Sequence, residues 1–154
     1  MLDKMFPFYA AVIACVLAQI LKPFCYWFIH HEWHTEMFIA AGGMPSSHSS
    51  LLSSLALAVG LVEKFSSTIF AVTLAFSLIV TFDACNVRYY SGQNISLTKK
   101  LIEDLTELGN LKPTDPIYSV KMKEVLGHTY LEVLAGIILG LATSYIYYLI
   151  FVGS

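Results

Sequence analysis

Four apolar stretches separated by polar segments dominate this chain. They run from Phe6 to Ile29, from Pro45 to Val62, from Ser67 to Tyr89 and from Tyr130 to Val152. A helix needs about 20 apolar residues to cross the hydrocarbon core of a bilayer, so the pattern predicts four membrane-spanning helices. The second stretch is short and rich in serine, which favours a helix that is tilted or shielded by its neighbours.

The long polar segment from Arg88 to His128 contains leucines at helical spacing opposite charged residues. This pattern predicts an amphipathic helix on the membrane surface, with Ser96 capping its start and Gly109 stopping it. A second short helix is expected through Lys121 and Lys123. The leucines are Leu97, Leu101, Leu105 and Leu108, and the charged residues are Lys99, Lys100, Glu103, Asp104 and Glu107.

Composition agrees with a membrane protein. Of the 154 residues 56% are apolar and 13% are charged, and the mean hydropathy is +0.67. The predicted fold class is therefore an all-α integral membrane bundle with about four transmembrane helices and one interfacial helix, forming a single domain over residues 1–154. The net charge of −2 argues against nucleic acid as a partner. Cys15, Cys25 and Cys85 lie in or beside apolar stretches and are expected to be buried thiols.

Lysine and arginine are distributed unevenly between the two sides of this topology. One side carries Lys22, Arg88, Lys99, Lys100, Lys112, Lys121 and Lys123, whereas the other carries Lys4 and Lys64. The positive-inside rule then predicts that both termini are outside and that the long connection is cytoplasmic. The candidate residues on that side are then expected to face the cytoplasm.

Four polar clusters fall at the same predicted membrane face. They are Lys22, the segment from Pro45 to His48, Asp83 with Arg88, and His128 with Glu132. Random placement would scatter such clusters over both faces. Their convergence predicts a functional site that faces the cytoplasm.

The serines and the His128 pair suit phosphoryl chemistry. Ser46 and Ser47 stand at a helix start, where hydroxyls and unsatisfied N–H groups can cradle a phosphate; alternatively Ser46 only caps the helix. His128 and Glu132 are four residues apart, so the carboxylate can orient the imidazole as a nucleophile. The alternative is that this pair is an interhelical strut.

Other polar residues of the face have complementary uses. His48 can protonate a leaving oxygen, and Lys22 and Arg88 can neutralise phosphate oxygens. Asp83 is an ionisable residue at membrane depth, which makes it a functional candidate, or else it pairs with Arg88 or Lys22.

Two glycines continue the His128 face along the last apolar stretch. Gly136 and Gly140 form a small-xxx-small pattern, which lets another helix approach closely. This face is therefore predicted to pack against protein and not against lipid.

These motifs resemble the type-2 phosphatidic acid phosphatase and vanadium haloperoxidase superfamily. That resemblance lies in a lysine at a helix exit, Pro-Ser-x-His at the next helix entry and His-x-x-x-acid at a later entry. The complete set of matching segments looks more closely like the divergent bacterial and plastid branch of this superfamily. The resemblance extends from about Gln19 to Gly140. The matching segments are Gly42 to Ser49, Asp83-Ala84, Val87-Arg88, Leu126 to Thr129 and Glu132-Val133.

The resemblance implies a metal-independent phosphatase that needs no cofactor and acts through a phosphohistidine. His128 would be the nucleophile and His48 the acid on the leaving group, with Ser46 and Lys22 as phosphate ligands. Members of this branch generally lack an assigned substrate.

The chain departs from the usual superfamily pattern at several positions. Ser47 replaces glycine, Glu132 replaces aspartate, Ile29 and His30 stand where Arg-Pro is usual, and Met122 stands where arginine is usual. Arg88 or Lys123 is the expected substitute for the missing arginines.

A histidine cluster follows the first apolar stretch. His30, His31 and His34, with Glu32 and Glu36, offer donors for a zinc ion. Their spacing matches no established metal motif. We therefore favour an interfacial loop anchored in the headgroup layer by Trp33.

The favoured function is hydrolysis of a lipid phosphate or lipid pyrophosphate in the membrane. The alternative is a non-catalytic protein that binds or translocates phospholipid or polyprenyl phosphate, and a third reading is a structural subunit of a larger assembly. The expected partners are membrane lipid and the lipid phosphate, and a homo-oligomer is left open.

The lysine and arginine asymmetry generates a topology prediction. With all three native cysteines replaced by serine, Thr114→Cys should resist an impermeant maleimide applied to intact cells, because the long connection is cytoplasmic. Labelling after permeabilisation is the control. Ready labelling of intact cells would place the site on the outer face.

Overall fold

The computed structural model describes residues 4–40, 42–107, 109 and 128–153. Within these ranges all regular secondary structure is helical, so the predicted all-α fold class is confirmed. The elements are α1 (Phe6–His30), a 3-10 helix (Thr35–Phe38), α2 (Ser47–Glu63), α3 (Thr68–Cys85), α4 (Val87–Glu107) and α5 (Tyr130–Gly153).

Three helical stretches of the described ranges are long and apolar enough to cross a membrane. They are α1, the stretch Thr68–Glu107 in which α3 supplies the apolar part, and α5. Helix α2 has 17 residues, and at 1.5 Å per residue it is about 25 Å long, shorter than the hydrocarbon core of about 30 Å. It packs against α1, α3 and α5 and is buried along much of its length. The serine-rich second stretch is therefore a short inner helix shielded by its neighbours.

Helix α1 packs against α2 along a stripe of alanines. Ala10, Ala14 and Ala18 are fully buried at four-residue spacing, and Lys22 continues the same stripe. Small side chains let the two helices approach closely, and the Ser50 hydroxyl donates to the Ala14 carbonyl at 3.1 Å. Since Ser50 contacts Ala14 while Lys22 contacts the start of α2, the two helices are antiparallel.

Helices α2 and α5 pack in parallel at very short range. A Cβ atom at Gly136 would collide with the Ser46 carbonyl, and one at Gly140 would collide with the Ser50 carbonyl and the Ser53 hydroxyl. Both glycines are buried, so this face of α5 packs against protein, as the small-xxx-small spacing predicted. The parallel arrangement puts the starts of α2 and α5 at the same end of the bundle.

The opposite end of the bundle is closed by aromatic side chains. Phe6 is fully buried and stacks on Tyr147, with ring centroids 5.1 Å apart. Ala10 and Ala58 complete this apolar cluster. The cluster joins the start of α1 to the later turns of α2 and α5, and thereby anchors all three helices.

Helix α4 starts earlier than the leucine pattern indicated. Asn86 caps the end of α3, and α4 begins at the next residue, Val87. The prediction that Ser96 caps a helix start is wrong, because Ser96 lies inside α4 and donates its hydroxyl to the Gly92 carbonyl at 3.3 Å. Residues 87–95 continue the helical hydrogen bonding, so no free N–H groups remain at Ser96 to be capped.

The apolar face of α4 is exposed in the bundle. Leu97 and Leu101 are 68% and 56% exposed, as suits a helix that lies on a membrane surface. Gly109 follows the helix with a φ of +70°, a left-handed conformation that glycine adopts without strain, and it stands where the stop was predicted. The second short helix expected through Lys121 and Lys123 lies outside the described residues.

The contact between α2 and α5 generates a stability prediction. Gly140→Ala should lower the free energy of unfolding by about 1–3 kcal/mol, because the new methyl group meets backbone atoms of Ser50 that cannot move aside. Helix propensity alone predicts the opposite sign, since alanine is about 1 kcal/mol better than glycine inside a helix. The melting temperature of the detergent-solubilised protein measures the net effect.

Ala142→Leu is the matched control on the same helix. Ala142 is exposed on the lipid side of α5, so a larger side chain there should leave the melting temperature nearly unchanged. A Gly140→Ala protein that melts at or above the wild-type temperature would contradict the close packing described here.

Candidate functional site

Three helix ends meet at one end of the bundle, where backbone hydrogen bonds join them. The Ser46 N–H at the start of α2 donates to the Glu132 carbonyl in the first turn of α5 at 3.0 Å. The His128 N–H, just before α5, donates to the Ala84 carbonyl at the end of α3 at 3.1 Å. Side chains at these positions are therefore held by main-chain bonds as well as by packing.

His128 is oriented by Glu132. The imidazole is 4% exposed, and its Nδ1 lies 2.9 Å from Glu132 Oε2. An ionised carboxylate only accepts hydrogen bonds, so with Glu132 ionised and the ring neutral, Nδ1 carries the hydrogen and Nε2 carries the lone pair. The Nε2 atom is buried and has no hydrogen-bond partner among the residues that the structure describes. A ring nitrogen in this state can act as a nucleophile or a base.

Glu132 also caps the start of α5, a role that was not predicted from the sequence. The Glu132 N–H donates to Thr129 Oγ1 at 3.4 Å, while the Thr129 N–H donates to Glu132 Oε2 at 3.3 Å. This reciprocal pair is a capping box, and the Thr-x-x-Glu spacing was legible in the sequence. The carboxylate that orients His128 is thus itself fixed by the first turn of α5.

Ser46 is the N-cap of α2, which was the simpler of its two readings. Its Oγ accepts from the Ser49 N–H at 3.4 Å and from the Ser49 hydroxyl at 3.0 Å. Both serines are essentially fully buried. Because Ser46 Oγ accepts both bonds, its own hydrogen can still be donated. Capping and phosphate binding are therefore compatible, and Ser49 is a further site residue that the sequence reasoning missed.

Lys22 lies beside this helix start with its charge buried. It is 1% exposed, and its Nζ donates to the Ala40 carbonyl at 2.8 Å and to Ser47 Oγ at 3.4 Å. Gln19, one turn earlier, also donates to the Ala40 carbonyl and ties the segment after the 3-10 helix to α1. Both of these Lys22 acceptors are neutral, so an anion at this position would be strongly favoured.

His48, in the first turn of α2, lies near His128. Its ring centroid lies 6.4 Å from that of His128, and its side chain is exposed whereas His128 is buried. A cavity of about 110 Å³ adjoins His128 and is also lined by Cys85, Thr129 and Tyr130. The two imidazoles are close enough for one small group to contact both.

The structure describes the remaining predicted site residues less fully. Asp83 is half-buried at the end of α3, next to the Ala84 carbonyl that holds His128. Arg88 lies in the first turn of α4, and its side chain is not described. Lys123 lies outside the described residues. The structure therefore brings together His128, Glu132, His48, Lys22, Ser46 and Ser47.

The histidine cluster after α1 forms a separate group. His34 Nε2 lies 3.3 Å from Glu32 Oε2, and the Tyr26 ring packs on His30 and His34. In residues 4–40 and the other described ranges, no three histidine, cysteine or carboxylate side chains converge as metal ligands would. The aromatic packing favours the interfacial-loop interpretation.

The fold and the site define an all-helical integral membrane protein in which histidine, serine and lysine side chains lie at joined helix ends. The chain belongs to the Divergent PAP2 family, which it matches over residues 4–143, and the resemblance read from its motifs is thereby confirmed. It is similar to the uncharacterized membrane protein YuiD of Bacillus subtilis (strain 168), with 32% identity over 151 residues that cover 92% of this chain and 96% of the relative. No solved structure matches it significantly.

Proposed function

We propose that this protein is a membrane phosphatase that hydrolyses a lipid phosphate or lipid pyrophosphate through a phosphohistidine at His128. The observation that carries the proposal is the state of this imidazole: Glu132 holds Nδ1, and Nε2 faces no hydrogen-bond partner within the described ranges. Membership of a PAP2-related membrane family supports the same chemistry.

The first chemical step forms the phosphohistidine. The Nε2 lone pair of His128 attacks phosphorus while the bond from phosphorus to the lipid oxygen breaks, and its electrons stay on the leaving oxygen. His48, in its protonated form, gives that oxygen a proton. Glu132 stabilises the positive charge that the His128 ring gains. A positioned carboxylate does this without reorganisation during the reaction.

The second step regenerates the enzyme. Water attacks the phosphorus of the phosphohistidine, and the bond between phosphorus and Nε2 breaks with its electrons returning to the ring. His48, now neutral, accepts the proton that the water loses. Inorganic phosphate leaves, and both histidines are back in their starting states.

The phosphate oxygens would be held by residues at the start of α2. Lys22 supplies the charge, and the Ser46 and Ser47 hydroxyls donate hydrogen bonds. The parallel α2 and α5 point two helix starts at the same place, and each carries a partial positive charge that favours an anion. Arg88 and Lys123 are proposed as additional phosphate ligands in place of the superfamily arginines.

Two departures from the superfamily pattern are compatible with this mechanism. Glutamate at position 132 is one methylene longer than aspartate, and the capping box bends it back onto His128. Serine at position 47, where glycine is usual, provides a hydroxyl that accepts from Lys22. Each substitution therefore adds a contact within the site.

The rival function is binding or translocation of a lipid phosphate without hydrolysis. Such a protein would need the Lys22 and serine cradle but would not need a buried, oriented nucleophile. The state of His128 favours the enzyme. The following experiments separate the two functions.

Turnover should depend on the two histidines unequally. His128→Ala should abolish phosphate release from a panel of lipid phosphates, because the nucleophile is lost. His48→Ala should lower kcat by roughly 10²–10⁴, as expected for loss of a general acid. Glu132→Ala should retain residual activity, because the ring loses its orientation but keeps its lone pair.

His34→Ala is the matched control, since His34 belongs to the separate cluster after α1. It should retain wild-type turnover. Equal phosphate release by wild type and His128→Ala would rule out the phosphohistidine mechanism.

Anions should protect the folded protein through Lys22. Millimolar phosphate or vanadate should raise the melting temperature in detergent, because a ligand at 100 times its Kd stabilises the folded state by about 2.7 kcal/mol. Lys22→Met should lose this protection while remaining folded, since methionine fills the buried space without a charge. Vanadate should protect wild type more than His128→Ala, because it can bond to the attacking nitrogen.

Lys64→Met is the control for charge alone, because Lys64 lies after the other end of α2. This variant should keep full anion protection. Loss of protection in both lysine variants, or in neither, would contradict a phosphate cradle at Lys22.

A further inference from the structure

A lateral groove runs along the bundle between α2, α3 and α5, with a cavity volume of about 270 Å³. Helix α2 contributes Ser53 and Ala56 to its wall, α3 contributes Leu74 and Leu78, and α5 contributes Leu141. The groove lies apart from the smaller cavity at His128 and belongs to none of the steps described above.

The wall of this groove is hydrocarbon in character. Two of its serine hydroxyls are turned onto backbone carbonyls: Ser53 donates to the Ile137 carbonyl at 3.2 Å and Ser77 donates to the Thr73 carbonyl at 2.8 Å. These polar atoms are therefore satisfied within the protein. An occupant of the groove would meet mainly methyl, methylene and aromatic groups, which suits an apolar chain.

One end of the groove meets the candidate phosphate site, and two phenylalanine rings line the other end. Ser49 lines the groove and donates its hydroxyl to Ser46 at the helix start. At the far end the Phe65 and Phe70 rings pack edge to face, 5.2 Å apart, and the Phe65 ring lies against Gly60. A ligand with its phosphate at Ser46 could thus extend its chain directly into the groove.

The length and the open side of the groove fit a membrane lipid. From Ser49 to Leu57, the first and last lining residues of α2, the helix rises about 12 Å, which lies within half of the hydrocarbon thickness of about 30 Å. The rim residues Leu74, Leu78 and Leu141 are 40%, 62% and 41% exposed, so the groove opens sideways to the bilayer. A chain can enter from the lipid without crossing water.

We propose that this groove holds the hydrocarbon chain of the substrate, and that the substrate is a lipid phosphate or pyrophosphate with a single chain. The volume of 270 Å³ lies just below the range of about 300–1,000 Å³ that encloses drug-sized ligands. That space holds part of one hydrocarbon chain, whose remainder would lie in the bilayer, and the paired chains of a glycerophospholipid would not both fit inside it. The inference rests on the proposed function for the position of the phosphate.

Photo-crosslinking tests the groove independently of turnover. Wild-type protein in phosphatidylcholine nanodiscs is irradiated with hexadecyl phosphate that carries a diazirine at mid-chain, and the modified residues are mapped by mass spectrometry. We expect crosslinks at Leu74, Leu78 and Leu141 that excess unlabelled hexadecyl phosphate removes. Phosphatidic acid at the same concentration should compete poorly.

Leu78→Trp and Ile79→Trp form a matched pair of variants. Leu78 lines the groove, whereas its neighbour Ile79 is 68% exposed and is not part of the lining. Leu78→Trp should lose the competed crosslinks and should lower the ratio of kcat/KM for hexadecyl phosphate to kcat/KM for propyl phosphate. Ile79→Trp should keep both at wild-type values.

Several outcomes would overturn the inference. Crosslinks that spread evenly over lipid-facing residues, competed crosslinks that persist in Leu78→Trp, or phosphatidic acid that competes as well as hexadecyl phosphate would each do so. Wild type that shows competed groove crosslinks but releases no phosphate would refute the proposed function and leave the groove assignment standing. Turnover without groove crosslinks would do the reverse.

Discussion

The close parallel contact between α2 and α5 is the constraint on which the rest of the structure depends. Two glycines of α5 lie directly against carbonyl groups of α2, and no larger residue fits there without displacing backbone. In a membrane, where apolar side chains gain little by leaving lipid, such backbone-to-backbone packing is a main source of helix association. The contact also sets the level at which Ser46 meets the first turn of α5.

The charged side chains at the starts of α2 and α5 are enclosed by protein. Lys22 would be costly in hydrocarbon, but it is buried against the start of α2 and donates to a backbone carbonyl and a hydroxyl. Glu132 is likewise shared between the Thr129 N–H and His128 Nδ1. Each charged group therefore has partners inside the bundle, while the parallel helix starts add a field that favours an anion.

The presence of the helices and the pairing of His128 with Glu132 could be predicted from the sequence, because both depend on the spacing of residues that are near each other in the chain. Apolar runs of about 20 residues can satisfy their backbone in lipid only as helices, and residues four apart share one helix face. The start of α4 and the cap role assigned to Ser96 were wrongly predicted. The spacing of hydrophobic residues identifies a helix but does not locate its ends. The ends depend on the hydrogen bonds that the flanking residues make.

The sequence by itself determined the all-helical membrane class, the close-packing face of α5 and the set of candidate residues for the site, since each follows from composition or short spacing. Only the tertiary structure decided that α2 is an inner helix, that Gln19 and Lys22 both donate to the Ala40 carbonyl, and that an apolar groove leads away from the candidate site. These features depend on contacts between residues far apart in the chain, and a single sequence carries no direct record of such contacts.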